Sequence, residues 1–280
     1  MPFDVMLIVL FAAMLHAAWN ALIKSGADKL LDAVMLCAAA GVIAVMVLPF
    51  LPAPAAASWG YLVASTLIHV VYFCLVALAY RDADMSFIYP LMRGAAPLFT
   101  ALITVFVVGE SVSVGGWIGV VLLCVGVASL ALDGHRSARV PGRMWVLALA
   151  NAAIIVSYTV VDGVGVRLSG NAWSYVLWLF ALIAVPMVAV GCVMRGKAMA
   201  ALSFAVWRKG FVGGACSIAS YGLALWAMML VPIALVAALR ETSVLFGTAI
   251  AALLLHEKFG RLRWLAAACI AAGAVAMKMM

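Results

Sequence analysis

Apolar runs of about 20 residues follow one another down this chain with only short polar breaks between them. Each is long enough to cross the ~30 Å hydrocarbon core of a bilayer as a helix. Backbone groups in lipid have no water to bond, so a spanning segment must be a helix or part of a closed barrel. A barrel would show short alternating segments rather than continuous apolar runs. Composition agrees: 69% of the 280 residues are hydrophobic and 10% are charged, against roughly half and about a quarter in soluble domains. The chain reads as an all-α polytopic membrane protein, with the lipid bilayer as its first partner.

Ten transmembrane helices are expected, over residues 4–24, 32–50, 59–80, 85–108, 114–132, 144–167, 172–194, 209–229, 232–255 and 262–279. The longest loops, DGHRSARVPGR (133–143) and RGKAMAALSFAVWR (195–208), are too short to house a soluble domain. Function must therefore lie within the membrane. Thirteen Lys and Arg fall in loops after odd-numbered helices, against Arg167 and Lys278 on the other side. By the positive-inside rule both termini are expected outside the cytoplasm. The net charge of +7 thus reads as orientation, and no nucleic-acid partner is expected. The start, MPFDVMLIVL, has no basic region of the kind that opens a signal peptide, so a retained first helix is expected. The six cysteines lie inside apolar runs without CxxC or metal-ligand spacing. They read as packing residues, and no metal or cofactor is expected.

Two stretches, LMRGAAPLFTALITVFVVGES (91–111) and LRETSVLFGTAIAALLLHEK (239–258), carry the same rare residues at the same spacing. A shift of 147 positions lays Arg93 on Arg240, Leu98 on Leu245, Phe99 on Phe246, Glu110 on Glu257, Trp117 on Trp264 and Gly126 on Gly273. Charged and Trp matches weigh most in an apolar background. The chain divides into a five-helix repeat over 1–132, a cytoplasmic linker over 133–143 and a second five-helix repeat over 144–280. An odd helix number makes tandem copies cross in opposite senses. The loops agree: that between helices 2 and 3 has no basic residue, while that between helices 7 and 8 has four. Inverted repeats are a mark of secondary transporters, whose site lies between the halves.

The segments GESVSVGGWIGVVLLCVGVASL (109–130) and HEKFGRLRWLAAACIAAGAVAM (256–277) resemble the repeat ends of the EamA family, within the drug/metabolite transporter superfamily. The shared pattern is a Glu after an apolar helix, a polar turn, then a helix rich in small residues. The resemblance covers essentially the whole chain, and is similar, more narrowly, to the bacterial aromatic amino-acid exporters. It implies ten helices in two halves and export of amino acids or related metabolites across the bacterial inner membrane. It further implies a cavity lined by helices 1, 3, 4, 6, 8 and 9, with helices 5 and 10 at the periphery.

Intramembrane ionisable groups are costly and are functional candidates by default. Arg93 and Arg240 each lie about eight residues inside a helix, or about 12 Å. They either bind a substrate carboxylate or brace two helices. Asp162 is expected to pair with Arg240 or Arg167, or to switch by protonation. His16, Trp19, Asn20 and Lys24 share one helix face, which is expected along the pathway except for Lys24, at the interface. His69 and Tyr72 sit at mid-membrane in helix 3. Tyr89, Tyr158, Tyr221 and Trp226 are deep aromatics whose polar atoms need partners. They line a cavity or simply pack. Glu110 and Glu257 are expected to accept bonds from the free amides of the helix that follows each. Pro97, with Pro90, interrupts helix 4, and Pro186 helix 7, as hinges or static kinks. Gly115 and Gly119 form a GxxxG stripe for packing within the subunit or, less favoured, between subunits; a monomer or weak homodimer is expected.

The leading expectation is a secondary transporter of small amphipathic molecules working by alternating access. A lipid, drug or nucleotide-sugar carrier on the same fold is the alternative. A membrane enzyme is disfavoured, since neither HExxH nor GxSxG occurs, and no Walker A motif supplies ATP.

Overall fold

Helix is the local solution for a chain in which Ala, Leu, Val and Ile dominate and each apolar run outlasts several turns. The structure is a computed structural model that describes residues 1–82, 93–94, 96–135, 142–200, 203–247, 249 and 261–278. No strand occurs among them. Ten helices are assigned: α1 Phe3–Ser25, α2 Lys29–Val47, α3 Trp59–Asp82, α4 Ala96–Ile103, α5 Val114–His135, α6 Gly142–Ser169, α7 Ala172–Ala200, α8 Phe204–Leu230, α9 Ile233–Arg240 and α10 Arg261–Lys278. Among the described residues, six stretches are long and apolar enough to cross a membrane: Phe3–Ser25, Lys29–Phe50, Ala56–Ala79, Trp145–Ser169, Ala172–Met199 and Phe204–Leu230. They coincide with expected helices 1, 2, 3, 6, 7 and 8. Within the described residues, the counterparts of helices 4, 5 and 10 are shorter apolar helices, Ala96–Val108, Val114–Ser129 and Trp264–Lys278. Tyr89, Pro90 and Glu257 lie outside the described residues, as do parts of expected helices 4 and 9 and of the linker.

Helix α9 departs from the expected continuous run over 232–255. It ends at Arg240, turns through Glu241 and Thr242, and the chain is helical again over 243–247. Shorter bonds carry the backbone across the break: the amides of Glu241, Thr242, Val244 and Leu245 donate to the carbonyls of Ala238, Leu239, Glu241 and Thr242. Thr242 Oγ1 also donates to Leu239 O at 2.8 Å. Pro97 lies within α4. The helix then widens into a π turn over Thr104–Val108, closed by Gly109 in the left-handed region at φ 79°. In α7, Pro186 lies within the helix, and the non-helical residue is Arg195 (φ −138°, ψ 28°). The expected interruption is therefore displaced to the helix's polar end, where fewer neighbours constrain it.

Helix α2 lies against α7 and α8, α1 along α8, α3 along α6, and α5 along α10. The last contact uses small residues. A Cβ on Gly119 would stand 2.8 Å from the Gly273 carbonyl oxygen, and one on Gly273 would stand 2.9 Å from that of Gly119. The glycine stripe thus serves packing within the chain, with Gly115 half-buried at its start. At one end of the bundle Arg195 pairs with Asp28, and Lys209 with Asp32 at 3.1 Å.

Candidate functional site

Arg93 is helical backbone just ahead of α4, and Glu241 is the first residue after α9. Their side chains meet in the interior, 2% and 4% exposed. Arg93 Nε donates to Glu241 Oε2 at 2.7 Å, and Nη2 donates to Oε1 at 2.8 Å. This two-pronged geometry matches the guanidinium fork to the carboxylate plane. Arg93 Nη1 donates to His16 Nε2 on α1 at 2.9 Å, so His16 is an acceptor in this geometry and its proton sits on Nδ1. Arg93 thus ties α1 and α9 to the start of α4. Of the expected α1 face, His16, Trp19 and Asn20 are all buried, and Lys24 is exposed. Asn20 Nδ2 donates to His16 O at 2.9 Å, and Trp19 packs edge-on against His16 at 4.8 Å.

Arg240, its equivalent in the second half, has a different environment. It is 4% exposed, its guanidinium carbon stands 5.2 Å from the centre of the Tyr221 ring, and its Nε has no hydrogen-bond partner. The repeat explains the asymmetry. The 147-residue shift that lays Arg93 on Arg240 lays Gly94 on Glu241 (241 − 147 = 94). The second arginine has no carboxylate at the position corresponding to the one that neutralises the first. Helix α9 also ends at Arg240, which places the negative end of the helix dipole there, a favourable place for a cation. Between the two arginines is a cleft with room for about one water molecule. Pro97, Thr100, Tyr158, Thr159, Arg240 and Glu241 are on its walls.

A second polar cluster adjoins the first through Tyr221. Asp162, on α6, is fully buried. Tyr175 on α7 donates its hydroxyl to Asp162 Oδ1 at 2.9 Å, and Tyr221 on α8 donates to Oδ2. His69 Nδ1, on α3, stands 4.0 Å from Oδ2 and 3.0 Å from Ser65 Oγ. The His69 ring lies 4.5 Å from the Tyr158 ring and 6.2 Å from that of Tyr72. Asp162 therefore pairs with neither Arg240 nor Arg167, contrary to the sequence expectation. Tyrosine hydroxyls and a histidine satisfy it, because α6 turns this residue toward α3, α7 and α8.

Arg167 lies at the far end of α6 and is paired elsewhere. Its Nη2 stands 2.6 Å from Glu110 Oε1, while its Nε and Nη2 donate to the carbonyls of Met228 and Val231 at 2.7 and 3.0 Å. Glu110 Oε1 also accepts from the Ile233 amide at 3.0 Å. Glu110 thus occupies a helix N-terminus, but that of α9 in the other half. The helix expected was α5, next in sequence. The left-handed Gly109 ends the preceding helix just before the side chain that reaches across.

The structure gathers His16, Trp19, Asn20, His69, Tyr72, Arg93, Tyr158, Asp162, Tyr221 and Arg240 into two joined clusters. Trp226 is half-buried against the hydrophobic core and is not on the cleft wall. Sequence reading missed Glu241, Tyr175, Ser65, Thr100 and Thr159. Glu241 carried the same signal as Arg93, a charge within an apolar run. The others are small or neutral polar residues: Tyr175 finds Asp162 on another helix, while Ser65 meets His69 on its own.

No family model matches this chain, and no curated protein matches it. Among solved structures, a crystal structure described only as that of a protein aligns over 100% of this chain and 98% of its own length, with a TM-score of 0.76 and 17% identity. At that identity the likeness establishes the fold.

Proposed function

We propose that this chain is a secondary transporter of small amphipathic metabolites bearing a carboxylate, amino acids foremost, in the bacterial inner membrane. It works by alternating access between two inverted five-helix halves joined by a cytoplasmic linker, with both termini outside the cytoplasm. The observation that carries the reading is Arg240: a buried guanidinium at a broken helix, beside a cleft, with an unused donor and no carboxylate partner among the described residues. A substrate carboxylate would occupy the place that Glu241 takes on Arg93. Thr100, Thr159 and the aromatic rings nearby suit an amphipathic solute. Broken helices at mid-membrane are the usual setting of such sites.

The helix contacts support the inverted arrangement. Exchanging helix n with helix n+5 turns the α1–α8 contact into α6–α3, α2–α8 into α7–α3, and α1–α9 into α6–α4. The same exchange maps the α2–α7, α4–α9 and α5–α10 contacts onto themselves. The EamA-like segments are consistent with this and imply export. A phosphorylated substrate, as in the nucleotide-sugar alternative, would call for several convergent cations, and Arg93 is already consumed by Glu241.

The test is counterflow in proteoliposomes across an amino-acid panel, with each matching amide as control. Counterflow of one or more amino acids, lost when the carboxylate becomes an amide, supports the reading. Equal flux of acid and amide, or flux of neither, rejects it.

A further inference from the structure

We propose that Asp162 and His69 form a proton-binding site linked to Arg240 through Tyr221, so that one proton and the substrate carboxylate bind and cross together. The inference rests on the transport reading above and adds the coupled ion.

Among the described residues, the buried charges of the central region resolve into one closed pair and two leftovers. Arg93 and Glu241 neutralise each other through two hydrogen bonds. Arg240 has no carboxylate, and Asp162 has no guanidinium or ammonium. The leftovers are joined by one side chain: Tyr221 donates its hydroxyl to Asp162 and sets its ring beneath the Arg240 guanidinium. With the cleft empty of solute, the two opposite charges offset each other across a tyrosine. A carboxylate docking on Arg240 removes that offset and leaves Asp162 as an uncompensated buried anion. In a low-dielectric interior such a charge is expensive, and taking up a proton is the cheapest relief. The proton comes from the aqueous side facing the cleft and is held by the Asp162 carboxylate; His69 Nδ1, whose own proton meets the Ser65 carbonyl at 3.0 Å, stands 4.0 Å from Oδ2.

The other groups facing this site do not compete for the proton. Helix α3 presents Tyr72 beside His69, α6 presents Tyr158, and α7 presents Tyr175, all neutral phenols. From the far side of Arg240, Glu241 is held by Arg93, and His16 accepts from Arg93. Linkage is reciprocal: if the carboxylate favours protonation of Asp162, protonation tightens carboxylate binding by the same factor. Proton and solute then move in one direction. Export would run down the solute's own gradient and be slowed by an acid exterior.

The experiment uses the full-length protein in liposomes with trapped pyranine. L-Phenylalanine is the first probe, replaced if needed by the panel amino acid with the highest counterflow. An imposed solute gradient should carry protons in the same direction as the amino acid. Whatever counterflow Asp162→Asn retains should no longer move protons. Solute flux without proton flux in the wild type, proton flux in the opposite direction, or proton flux persisting in Asp162→Asn would overturn the inference while leaving transport intact. Absence of counterflow for the whole panel overturns the transport reading, and this one with it. If Asp162→Asn does not fold, the wild-type measurement alone still decides the sign.

Discussion

Arg93 and Glu241 lie 148 positions apart in the chain, yet two hydrogen bonds of 2.7 and 2.8 Å join them in the interior. Glu241 stands at the break that ends α9, and Arg93 lies on helical backbone ahead of α4. Removing one partner takes from the other buried charge the opposite charge it is bonded to, which costs about 3–5 kcal/mol. Arg93→Ala and Glu241→Ala should each lower the melting temperature sharply in detergent. The double substitution Arg93→Met with Glu241→Met should recover most of the loss, since apolar replacement of a whole buried pair is close to neutral.

Arg240 should behave differently. It forms no ion pair with a carboxylate among the described residues, and Asp162, which it offsets across Tyr221, can be relieved by a proton, so Arg240→Gln should lower the melting temperature less than Arg93→Ala. Its loss should fall on the solute instead. A charge-assisted hydrogen bond is worth about 1.5–3 kcal/mol, so apparent affinity should drop by roughly 10- to 150-fold, read from the concentration dependence of counterflow. Arg93 and Arg240 are equivalent in the repeat, and the contrast between them is the discriminating result.

Glu110 caps α9 from the other half and holds Arg167. Glu110→Ala removes an N-terminal acceptor and should cost about 1–2 kcal/mol. Arg167 keeps its bonds to the carbonyls of Met228 and Val231, so the loss should be local. Hydrogen exchange should rise over 233–236 and stay unchanged in α2.

Asp28, between α1 and α2, offers a pH test away from the membrane interior. Partial burial works against its charge, but the Arg195 guanidinium and the Leu31 and Leu30 amides outweigh it. They hold the Asp28 carboxyl below its usual range. A depressed carboxylate contributes stability above its ordinary value of about 3.8, and that contribution fades as pH falls through the lower folded value. The melting temperature of the wild type should exceed that of Asp28→Asn near pH 7. The difference should close in strong acid.

Gly273 and Gly119 pack backbone to backbone. Gly273→Ala should force α5 and α10 apart and cost about 1–3 kcal/mol. Gly60→Ala is the control, since a Cβ there meets nothing within 4 Å. The comparison is read from melting temperatures.

Hydropathy made the order of the helices legible, because a spanning run of Leu, Val and Ala has few alternatives to a helix. The break after Arg240 is not legible: RETSVLF contains no Pro or Gly, and the break falls where Glu241 bonds Arg93, a contact 148 positions away in the chain. The repeat hides Glu241, since the 147-residue shift lays it on Gly94. Asp162 was recognised, but its partners were sought among cations. Tyrosine hydroxyls, which leave no charge signature in a sequence, satisfy it instead. For Glu110 the role was foreseen and the recipient helix was not, because sequence adjacency favours the next helix over one arriving from the second repeat.

The Arg93–Glu241 bond also bears on how the chain enters the bilayer. Arg93 is made 148 positions before its carboxylate partner, so the pair closes only after Glu241 has joined the earlier helices. A chain cut within 133–143 would place Arg93 and Glu241 on two fragments that must find each other before the pair can close. The covalent tether spares the protein that search by keeping the complementary fragment close at hand.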